Sequence, residues 1–116
     1  MICGNGHVYI LDGISLQPKI MRKADMNEAR SDFGLALSPC GNYVFAFGGC
    51  QMGNTLEYVL SVERYSIAED VWHTVSYLNE AVKGMTVVTM PDGIYLIGGH
   101  KSLTMTYTER VLRFDP

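Results

Sequence analysis

The chain has 116 residues, of which 47% are hydrophobic and 18% are charged, and its net charge is −3 with a pI of about 5.5. This is the ordinary balance of one small folded domain, or of a piece of a larger one, and it does not indicate disorder. The acidic charge excludes the basic surface by which proteins bind nucleic acids or anionic membranes. The apolar runs are far shorter than the ~20 residues that span a bilayer. We therefore expect no nucleic-acid partner and no membrane partner.

The three cysteines, Cys3, Cys40 and Cys50, are an odd number and form no CxxC pair. No charged-then-apolar leader opens the sequence, and no Asn-x-Ser/Thr glycosylation acceptor occurs in it. Reduced thiols are the rule in the cytosol and the nucleus. The sequence therefore predicts a cytoplasmic location, with the nucleus as the alternative.

The first 29 residues contain one strand-like segment, GHVYILDG (6–13), an apolar run that ends on Asp-Gly where later units have two glycines. From Gly13 to Arg30 the chain advances 17 residues, whereas the corresponding stretch of the next unit has 33. The first unit is therefore about 16 residues short, which is the length of one strand and its loop. We interpret residues 1–29 as a degenerate or truncated unit that begins inside its first strand.

The rest of the chain has the pattern of short strands separated by glycine-containing turns. In the second unit LALS precedes the turn PCGN and the apolar run VFAF, and SVERY and VWHTV follow. In the third unit TVVTM precedes the turn PDG and the run IYLI, and VLRF follows. The apolar runs have strand length without alternation, which predicts strands covered on both faces. No segment sustains a helical period, so we expect an all-β fold of antiparallel strands.

The second and third units are copies of one repeat of about 50 residues. Residues 30–81 form a complete repeat, and residues 82–116 form a repeat that lacks its last strand. The matched positions, at spacings of 52, 50 and 49 residues, are Pro39 and Pro91, Gly48-Gly49 and Gly98-Gly99, and 62–65 and 111–114.

The second unit also contains a tyrosine and a tryptophan at a fixed distance, since six residues separate Tyr65 from Trp72. Together with the diglycine and the period, this resembles the kelch repeat, the unit of one class of β-propeller. The resemblance implies an incomplete kelch-type propeller, in which each repeat is a four-stranded antiparallel blade and the diglycine ends the second strand. It also implies structural roles for the residues of the pattern, which are Gly48, Gly49, Gly98, Gly99, Tyr65, Trp72 and Phe114.

Two to two and a half repeats are too few to close a propeller, which uses about four to eight blades. The first blade would lack its first strand and the last blade its fourth, so the end of one chain does not supply the strand that the start of another lacks. We therefore favour a fragment of a longer kelch protein over a self-assembling ring, and a short subunit covered by partners is a further alternative. We expect other chains or further blades to cover the open blade edges.

No segment carries the spacing of a catalytic or metal-binding motif. GxSxG and HExxH are absent, and the carboxylates are scattered without a pair that suggests acid–base chemistry. Cys50 and His100 hold equivalent positions after the diglycines, but two ligands are too few for a metal site. We therefore expect no enzyme, no metal and no cofactor. A kelch-type oxidase or epimerase is the less favoured alternative that the resemblance leaves.

The resemblance implies a binding face, which in kelch proteins lies where first strands begin and where the loops after the diglycines follow. We expect Arg30 to be the strongest partner contact, because a guanidinium can hold a carboxylate with two hydrogen bonds. The alternative is that Arg30 pairs with Asp32 or with carbonyl groups inside its own blade. The residues at the expected face are Arg30, Ser31, Asp32, Val82, Lys83, Cys50, Gln51, Met52, His100, Lys101 and Ser102.

The resemblance implies a protein–protein interaction module whose kelch repeats present loops to a protein or peptide partner. Kelch proteins of this kind are often adaptors or scaffolds, including substrate receptors of ubiquitin ligases and actin-associated proteins. A structural subunit of a large complex is the alternative, since a fold by itself does not select a function.

Overall fold

The computed structural model describes residues 2–4, 6–12, 19–53, 55–101 and 106–116, and these residues form strands and turns without a helix. The strands are β1 (Ile2–Gly4), β2 (His7–Asp12), β3 (Lys19–Lys23), β4 (Gly34–Leu37), β5 (Tyr43–Phe47), β6 (Cys50–Met52), β7 (Leu56–Tyr58), β8 (Ser61–Ser66), β9 (Val71–Tyr77), β10 (Val82–Lys83), β11 (Thr86–Met90), β12 (Gly93–Ile97), β13 (His100–Lys101) and β14 (Val111–Phe114).

Three antiparallel sheets follow one another along the chain. Sheet 1 has the strand order β1-β2-β3, sheet 2 has β4-β5-β8-β9, and sheet 3 has β11-β12-β14. Two short ribbons, β6-β7 and β10-β13, include the strands that follow the diglycines. The all-β antiparallel fold expected from the sequence is confirmed.

Strand β5 is apolar on both faces because a neighbouring sheet covers each face. Val44 and Ala46 belong to a core shared with sheet 1, whereas Phe45 and Phe47 belong to a core shared with sheet 3. Phe114 of sheet 3 packs edge-on against both phenylalanines, with ring centroids 5.3 Å and 5.2 Å away. Burial on two sides explains why the run VFAF shows no alternation.

Sheet 1 corrects the expectation that the first unit lacks its first strand. β1 pairs with β2 from Ile2↔Tyr9 to Gly4↔His7, and Gly6, with a φ of +83°, permits the tight reversal between them. β3 pairs with β2 on its other side, whereas in sheet 2 two strands follow β5, first β8 and then β9. Among the described residues, sheet 1 therefore has one strand fewer beyond β2 than sheet 2 has beyond β5.

Two linkers lead from one sheet to the next, and both contain Asn-Glu-Ala, at 27–29 and at 79–81. In the first linker (24–30) the carbonyl oxygen of Ala24 accepts a hydrogen bond of 2.9 Å from the indole nitrogen of Trp72. In the second linker (78–82) the leucine that opens it packs against the core between sheets 2 and 3. Because the linkers are spaced by 52 residues, their positions can be compared one by one.

The diglycines satisfy two constraints, a left-handed backbone and close packing. Gly48 and Gly49 have φ values of +60° and +89°, and Gly98 and Gly99 have +66° and +105°. A Cβ on Gly48 would lie 2.7 Å from the carbonyl oxygen of Val82, so glycine avoids both backbone strain and a clash there. Gly98 meets only the first constraint, since the nearest described atom to a Cβ would be 3.5 Å away.

Candidate functional site

The residues expected at a binding face meet at one end of sheets 2 and 3. Ser31 pairs with Cys50 through two backbone hydrogen bonds of 2.8 Å and 2.9 Å. Lys83 pairs with His100 in the β10-β13 ribbon. In both repeats, therefore, the start of the first strand lies beside the residue that follows the diglycine. We name this surface the loop face and define it as Ser31, Asp32, Gln51, Met52, Lys83, His100 and Lys101.

Arg30 is not part of the loop face, and its expected role as a partner contact is corrected. Its side chain is fully buried, and the guanidinium donates to the carbonyl oxygens of Gly48 at 3.1 Å and Ser61 at 2.8 Å. Nη2 also donates at 2.6 Å to the carboxylate of Glu63, which is equally buried. Arg30 therefore fastens the first linker to its own blade, the alternative that the sequence left open.

The carboxylate of Glu63 accepts more than the hydrogen bond from Arg30. Its Oε1 accepts from the backbone amide of Asn27 at 2.6 Å, and its Oε2 accepts from that of Glu28 at 3.2 Å. A buried carboxylate is tolerated when its oxygens are satisfied in this way. Glu63 thus organises the first linker, and it is a structural residue.

Cys50 is a second expected contact that the structure places inside the protein. It is 3% exposed, and its sulfur lies 3.7 Å from the hydroxyl of Ser31. Gln51, the next residue, is partly exposed and donates through its side-chain amide to the carbonyl oxygen of Ala29 at 2.8 Å. Gln51 therefore remains on the loop face while Cys50 supports it. Ser102 lies outside the described residues.

A cleft of about 330 Å³ opens on the loop face between the two repeats, lined by Asp32, Lys83, Gly84, His100 and Tyr107. We name it the central cleft. A hydrogen bond of 2.8 Å from the amide of Gly84 to the carbonyl oxygen of Asp32 joins its two sides. The hydroxyl of Tyr58 lies 2.9 Å from Nδ1 of His100 and so orients the imidazole. Tyr107 stands edge-to-face against that ring, with centroids 5.2 Å apart, and is 83% exposed.

The central cleft carries two opposite charges that form no ion pair within the described residues, those of Asp32 and Lys83. Lys101 is different, because its ammonium lies 3.3 Å from the carboxylate of Glu80, which also binds Arg110 at 3.1 Å. Asp32 has a φ of +58°, in the left-handed region that aspartate adopts more readily than most residues. The cleft therefore presents a cation, an anion and an aromatic ring to solvent.

Sequence reasoning missed the two tyrosines of this site. Tyr58 and Tyr107 hold equivalent positions at the spacing of 49 residues, each four residues before the aligned valine, Val62 or Val111. The recurrence of a tyrosine at this place in both repeats is the signal that could have found them. Their proximity to His100 depends on how these loops fold back onto the ribbons.

Tyr65 and Trp72, for which the kelch resemblance implied a structural role, are buried against each other. Their ring centroids are 5.0 Å apart, and the residues are 0% and 4% exposed. The hydroxyl of Tyr65 donates to the carboxylate of Asp70 at 2.6 Å, and burial, together with this carboxylate, raises the pKa of Tyr65. A hydrogen bond from the amide of Ala24, with the one from Tyr65, lowers the pKa of Asp70. These contacts fasten the first linker to β8 and β9.

Within the described ranges, no three His, Cys, Asp or Glu side chains gather closely enough to hold a metal ion. His7, one of the three histidines, instead contacts Arg22 at 2.9 Å and Asp25 at 3.3 Å on sheet 1. In the same part of the chain no helix has the length and apolar character needed to cross a membrane.

Comparison with protein families identifies the repeat. Residues 33–79 match the family model described as the Kelch motif. The matched range contains β4, β5, β8 and β9, and so the whole of sheet 2. The chain thus carries a Kelch motif, and the resemblance noted in the sequence is confirmed.

Two known proteins extend the similarity beyond this motif. Beta-scruin of Limulus polyphemus is 28% identical over 100 residues, which cover 82% of this chain and 10% of that protein. The solved structure of YjhT matches with a TM-score of 0.80 at 11% identity, over 92% of this chain and 34% of the other. Beyond its Kelch motif, the chain is therefore similar in sequence to about a tenth of beta-scruin and shares its fold with about a third of YjhT.

Proposed function

We propose that this chain is a protein-interaction module, of the adaptor or scaffold type, that binds a protein or peptide partner at the loop face. The observation that carries the proposal is the central cleft, where loops of two repeats present a cation, an anion and an exposed aromatic ring together. Kelch repeats commonly mediate protein binding, which agrees with such a role.

Tyr107 is the residue on which the proposal chiefly depends. Its side chain is 83% exposed at the central cleft, where a bound partner would bury it. Its ring packs edge-to-face on His100, so little side-chain entropy remains to be lost on binding. Large aromatic side chains held in this way are the usual energetic centres of protein interfaces.

Lys83 and Asp32 would set the specificity of the cleft. Each charged group is available to a partner, because neither forms an ion pair within the described residues. A peptide that places one carboxylate near Lys83 and one donor near Asp32 would satisfy both. Opposite charges at one site also reject ligands of a single charge sign.

The proposal includes no catalytic step and no cofactor, and it places the protein in the reducing cytoplasm or nucleus. Cys40 and Cys50 are free thiols, which agrees with that location. An enzyme of the oxidase or epimerase kind makes a different prediction. Stoichiometric copper or iron in the purified protein, measured by elemental analysis, would favour the oxidase.

The test is a selection of binding peptides from a random library against the full chain, followed by calorimetric titration of the best peptide. We expect Tyr107→Ala to weaken binding by about 30-fold and Lys83→Gln by about fivefold. Tyr77→Ala is the matched control, because Tyr77 is also an exposed tyrosine but lies on β9, and it should leave the affinity unchanged. A peptide that binds both cleft variants as tightly as the original chain would contradict the proposal.

A structural subunit of a larger assembly is a second candidate, and the outer face of sheet 3 favours it. There Val88, Met90, Tyr95 and Ile97 line an apolar depression, and three of the four are at least 39% exposed. Sedimentation and circular dichroism of the isolated chain distinguish the candidates. An aggregated or unfolded chain supports the subunit, and a folded monomer supports the interaction module.

A further inference from the structure

The second unit (30–81) and the third unit (82–116) contribute opposite charges to the loop face. At four pairs of equivalent positions on or beside this face, the residue of the third unit is more positive by one charge. The second unit therefore places two carboxylates at these positions, and the third unit places two ammonium groups there. The four pairs are Ser31 and Lys83, Asp32 and Gly84, Gln51 and Lys101, and Glu57 and Thr106.

The backbone confirms that the last two of these pairs are matched in space. Glu57 lies opposite Gln51 in the β6-β7 ribbon. In the third unit, the carbonyl oxygen of Thr106 accepts a hydrogen bond of 2.9 Å from the amide of Lys101. In both units, therefore, the second residue after the diglycine lies beside the residue that precedes the tyrosine of the loop.

The ion pairs next to the second unit's part of the loop face leave one negative charge in excess. The guanidinium of Arg30 lies 2.6 Å from the carboxylate of Glu63 and 3.8 Å from that of Glu28. One cation therefore faces two carboxylates. The side chain of Glu28 is 48% exposed, so the excess negative charge reaches solvent.

The ion pairs of the third unit leave the opposite excess. The carboxylate of Glu80 lies 3.3 Å from the ammonium of Lys101 and 3.1 Å from the guanidinium of Arg110. One carboxylate therefore faces two cations, and the exposed side chain of Arg110 brings the excess positive charge to solvent. The ion pairs and the matched positions thus give the loop face the same polarity, negative on the second unit and positive on the third.

A shallow groove beside the β6-β7 ribbon provides a binding site at the negative end. Met52, which is 78% exposed, lies directly opposite Leu56, so the ribbon combines apolar side chains with the exposed carboxylate of Glu57. Lysine and arginine suit such a surface, because their aliphatic stems cover apolar groups while their charged ends reach a carboxylate. We name this groove, of about 410 Å³, the hairpin groove, and its lining residues are Gln51, Met52, Gly53, Thr55 and Glu57.

The central cleft provides the binding site at the positive end. The ammonium of Lys83 forms no ion pair within the described residues, and Lys83 pairs with His100 in the β10-β13 ribbon. Asp32, the carboxylate of the same cleft, belongs to the second unit and lines the side that faces the negative end. The polarity of the loop face therefore continues through the cleft.

We propose that the partner is a segment of mixed charge that binds across the two units. A lysine or arginine of the segment lies in the hairpin groove with its charge at Glu57, and an aspartate or glutamate lies in the central cleft at Lys83. Complementary charges fix the register of the segment, and segments of a single charge sign are repelled at one of the two ends. This inference rests on the proposed function, because it assigns the charges of a partner that binds the loop face.

The test is a selection from a random library of displayed peptides against three forms of the full chain, which are the original and the charge-reversed variants Glu57→Lys and Lys83→Glu. Peptides selected by the original chain should contain both a basic and an acidic residue. Those selected by Glu57→Lys should lose the basic residue, and those selected by Lys83→Glu should lose the acidic one.

Calorimetric titration of the best peptide of the original chain gives the size of the effect. Each charge reversal should weaken binding by about tenfold at about 0.05 M salt and by about threefold at about 0.5 M salt, because salt screens exposed charges. A peptide whose basic residue is changed to glutamate should recover the lost affinity for Glu57→Lys. This rescue shows that the weaker binding does not come from misfolding of the variant.

Glu69→Lys and Lys19→Glu are the matched controls. They make the same changes of charge at exposed residues away from the loop face, since Glu69 lies in the turn between β8 and β9 and Lys19 lies on β3. Both controls should select the same peptides as the original chain and bind them with unchanged affinity.

The outcomes separate this inference from the proposed function. Selected peptides of a single charge sign, or without charge, would overturn the inference, as would charge reversals that leave the selected sequences unchanged. If Tyr107→Ala still weakens the binding of such peptides, the proposed function stands without the inference. A library that yields no binding peptide would overturn both.

Discussion

In the first linker Arg30 and Glu63 form a buried ion pair, whereas the residues at the equivalent positions of the second linker and β14 are Val82 and Leu112. Where the guanidinium lies against sheet 2, sheet 3 has a pocket of about 30 Å³ with an almost wholly apolar lining that includes Val82 and Leu112. Two sheets whose first three strands follow the same order are therefore joined to their linkers by opposite chemistry, one charged and one apolar. The third repeat therefore forms the equivalent contact with its linker without a buried ion pair.

The contact between the second linker and sheet 3, here called the second contact, has its charged residues at the solvent-exposed rim and not in the interior. The contact between the first linker and sheet 2 is called the first contact. Ser61, which accepts from Arg30 in sheet 2, is replaced by Arg110 in sheet 3. Arg110 pairs at 3.1 Å with Glu80, which is equivalent to Glu28 of the first linker. With 56% of its side chain exposed, Arg110 is screened by water, and its ion pair contributes little to stability. The first contact is therefore oriented by directional hydrogen bonds between charged groups, and the second contact depends on apolar packing.

The largest expected effect comes from removing one half of the buried pair. Arg30→Met leaves the carboxylate of Glu63 buried without its cation, and we expect a loss of about 3–5 kcal/mol in the free energy of unfolding. Urea unfolding followed by circular dichroism measures it. A loss below about 1 kcal/mol would show that the two contacts are equivalent in stability as well as in position.

A double substitution makes the contact between the first linker and sheet 2 apolar, like the contact between the second linker and sheet 3. Arg30→Met with Glu63→Leu removes both charges, so the penalty of an unpaired charge disappears. We expect the double variant to be about 2 kcal/mol more stable than Arg30→Met alone. A residual loss of about 1–3 kcal/mol should remain, because the amides of Asn27 and Glu28 lose their acceptor. Strictly additive losses would contradict this account of the pair.

A smaller contrast is expected between the two diglycines. Gly48→Ala forces a Cβ to 2.7 Å from the carbonyl oxygen of Val82, whereas Gly98→Ala meets no described atom within 3.5 Å. In both variants the left-handed backbone lowers the free energy of unfolding by about 1–2 kcal/mol. In Gly48→Ala the clash lowers it by a further amount of about 1–3 kcal/mol. Thermal unfolding of the two variants side by side measures the difference. Equal midpoints would show that conformation alone selects glycine at these positions.

The smallest expected effect is a gain in stability at the second contact. Leu112→Phe adds about the volume of one methylene group beside the pocket of about 30 Å³, and we expect stabilisation of about 0.5–1 kcal/mol. Ala46→Val is the control in the first contact, where Ala46 is 0% exposed, and overpacking there should cost about 1–3 kcal/mol. Changes of the same sign in both variants would mean that the two contacts are packed alike.

The sequence predicted most of sheets 2 and 3, and local chemistry explains why. The runs VFAF and IYLI, the turns before them and the diglycines after them are all short-range signals. Sheet 1 was harder, because Gly6 allows β1 and β2 to form a tight hairpin from very few residues. A deficit counted along the chain does not reveal which strand is absent, and the expectation of a missing first strand was wrong for that reason.

The loop face and its surroundings likewise include features that the sequence predicted and features that it did not. The kelch resemblance implied one face for the starts of first strands and the loops after the diglycines, and the structure pairs Ser31 with Cys50 and Lys83 with His100. The sequence left open whether Arg30 contacts a partner or its own blade, because its buried charged partner, Glu63, lies 33 residues away. In the next repeat the residue equivalent to Arg30 is Val82.

The sequence by itself therefore determined where strands and turns lie and which residues are equivalent between repeats, because alternation, apolar runs and paired glycines act over a few neighbouring residues. Only the tertiary structure decided which equivalent residues reach solvent. Whether a side chain is buried depends on segments that are distant in the chain and on whether a further strand covers it. Tyr107 is exposed beside His100 and Arg30 is enclosed for this reason.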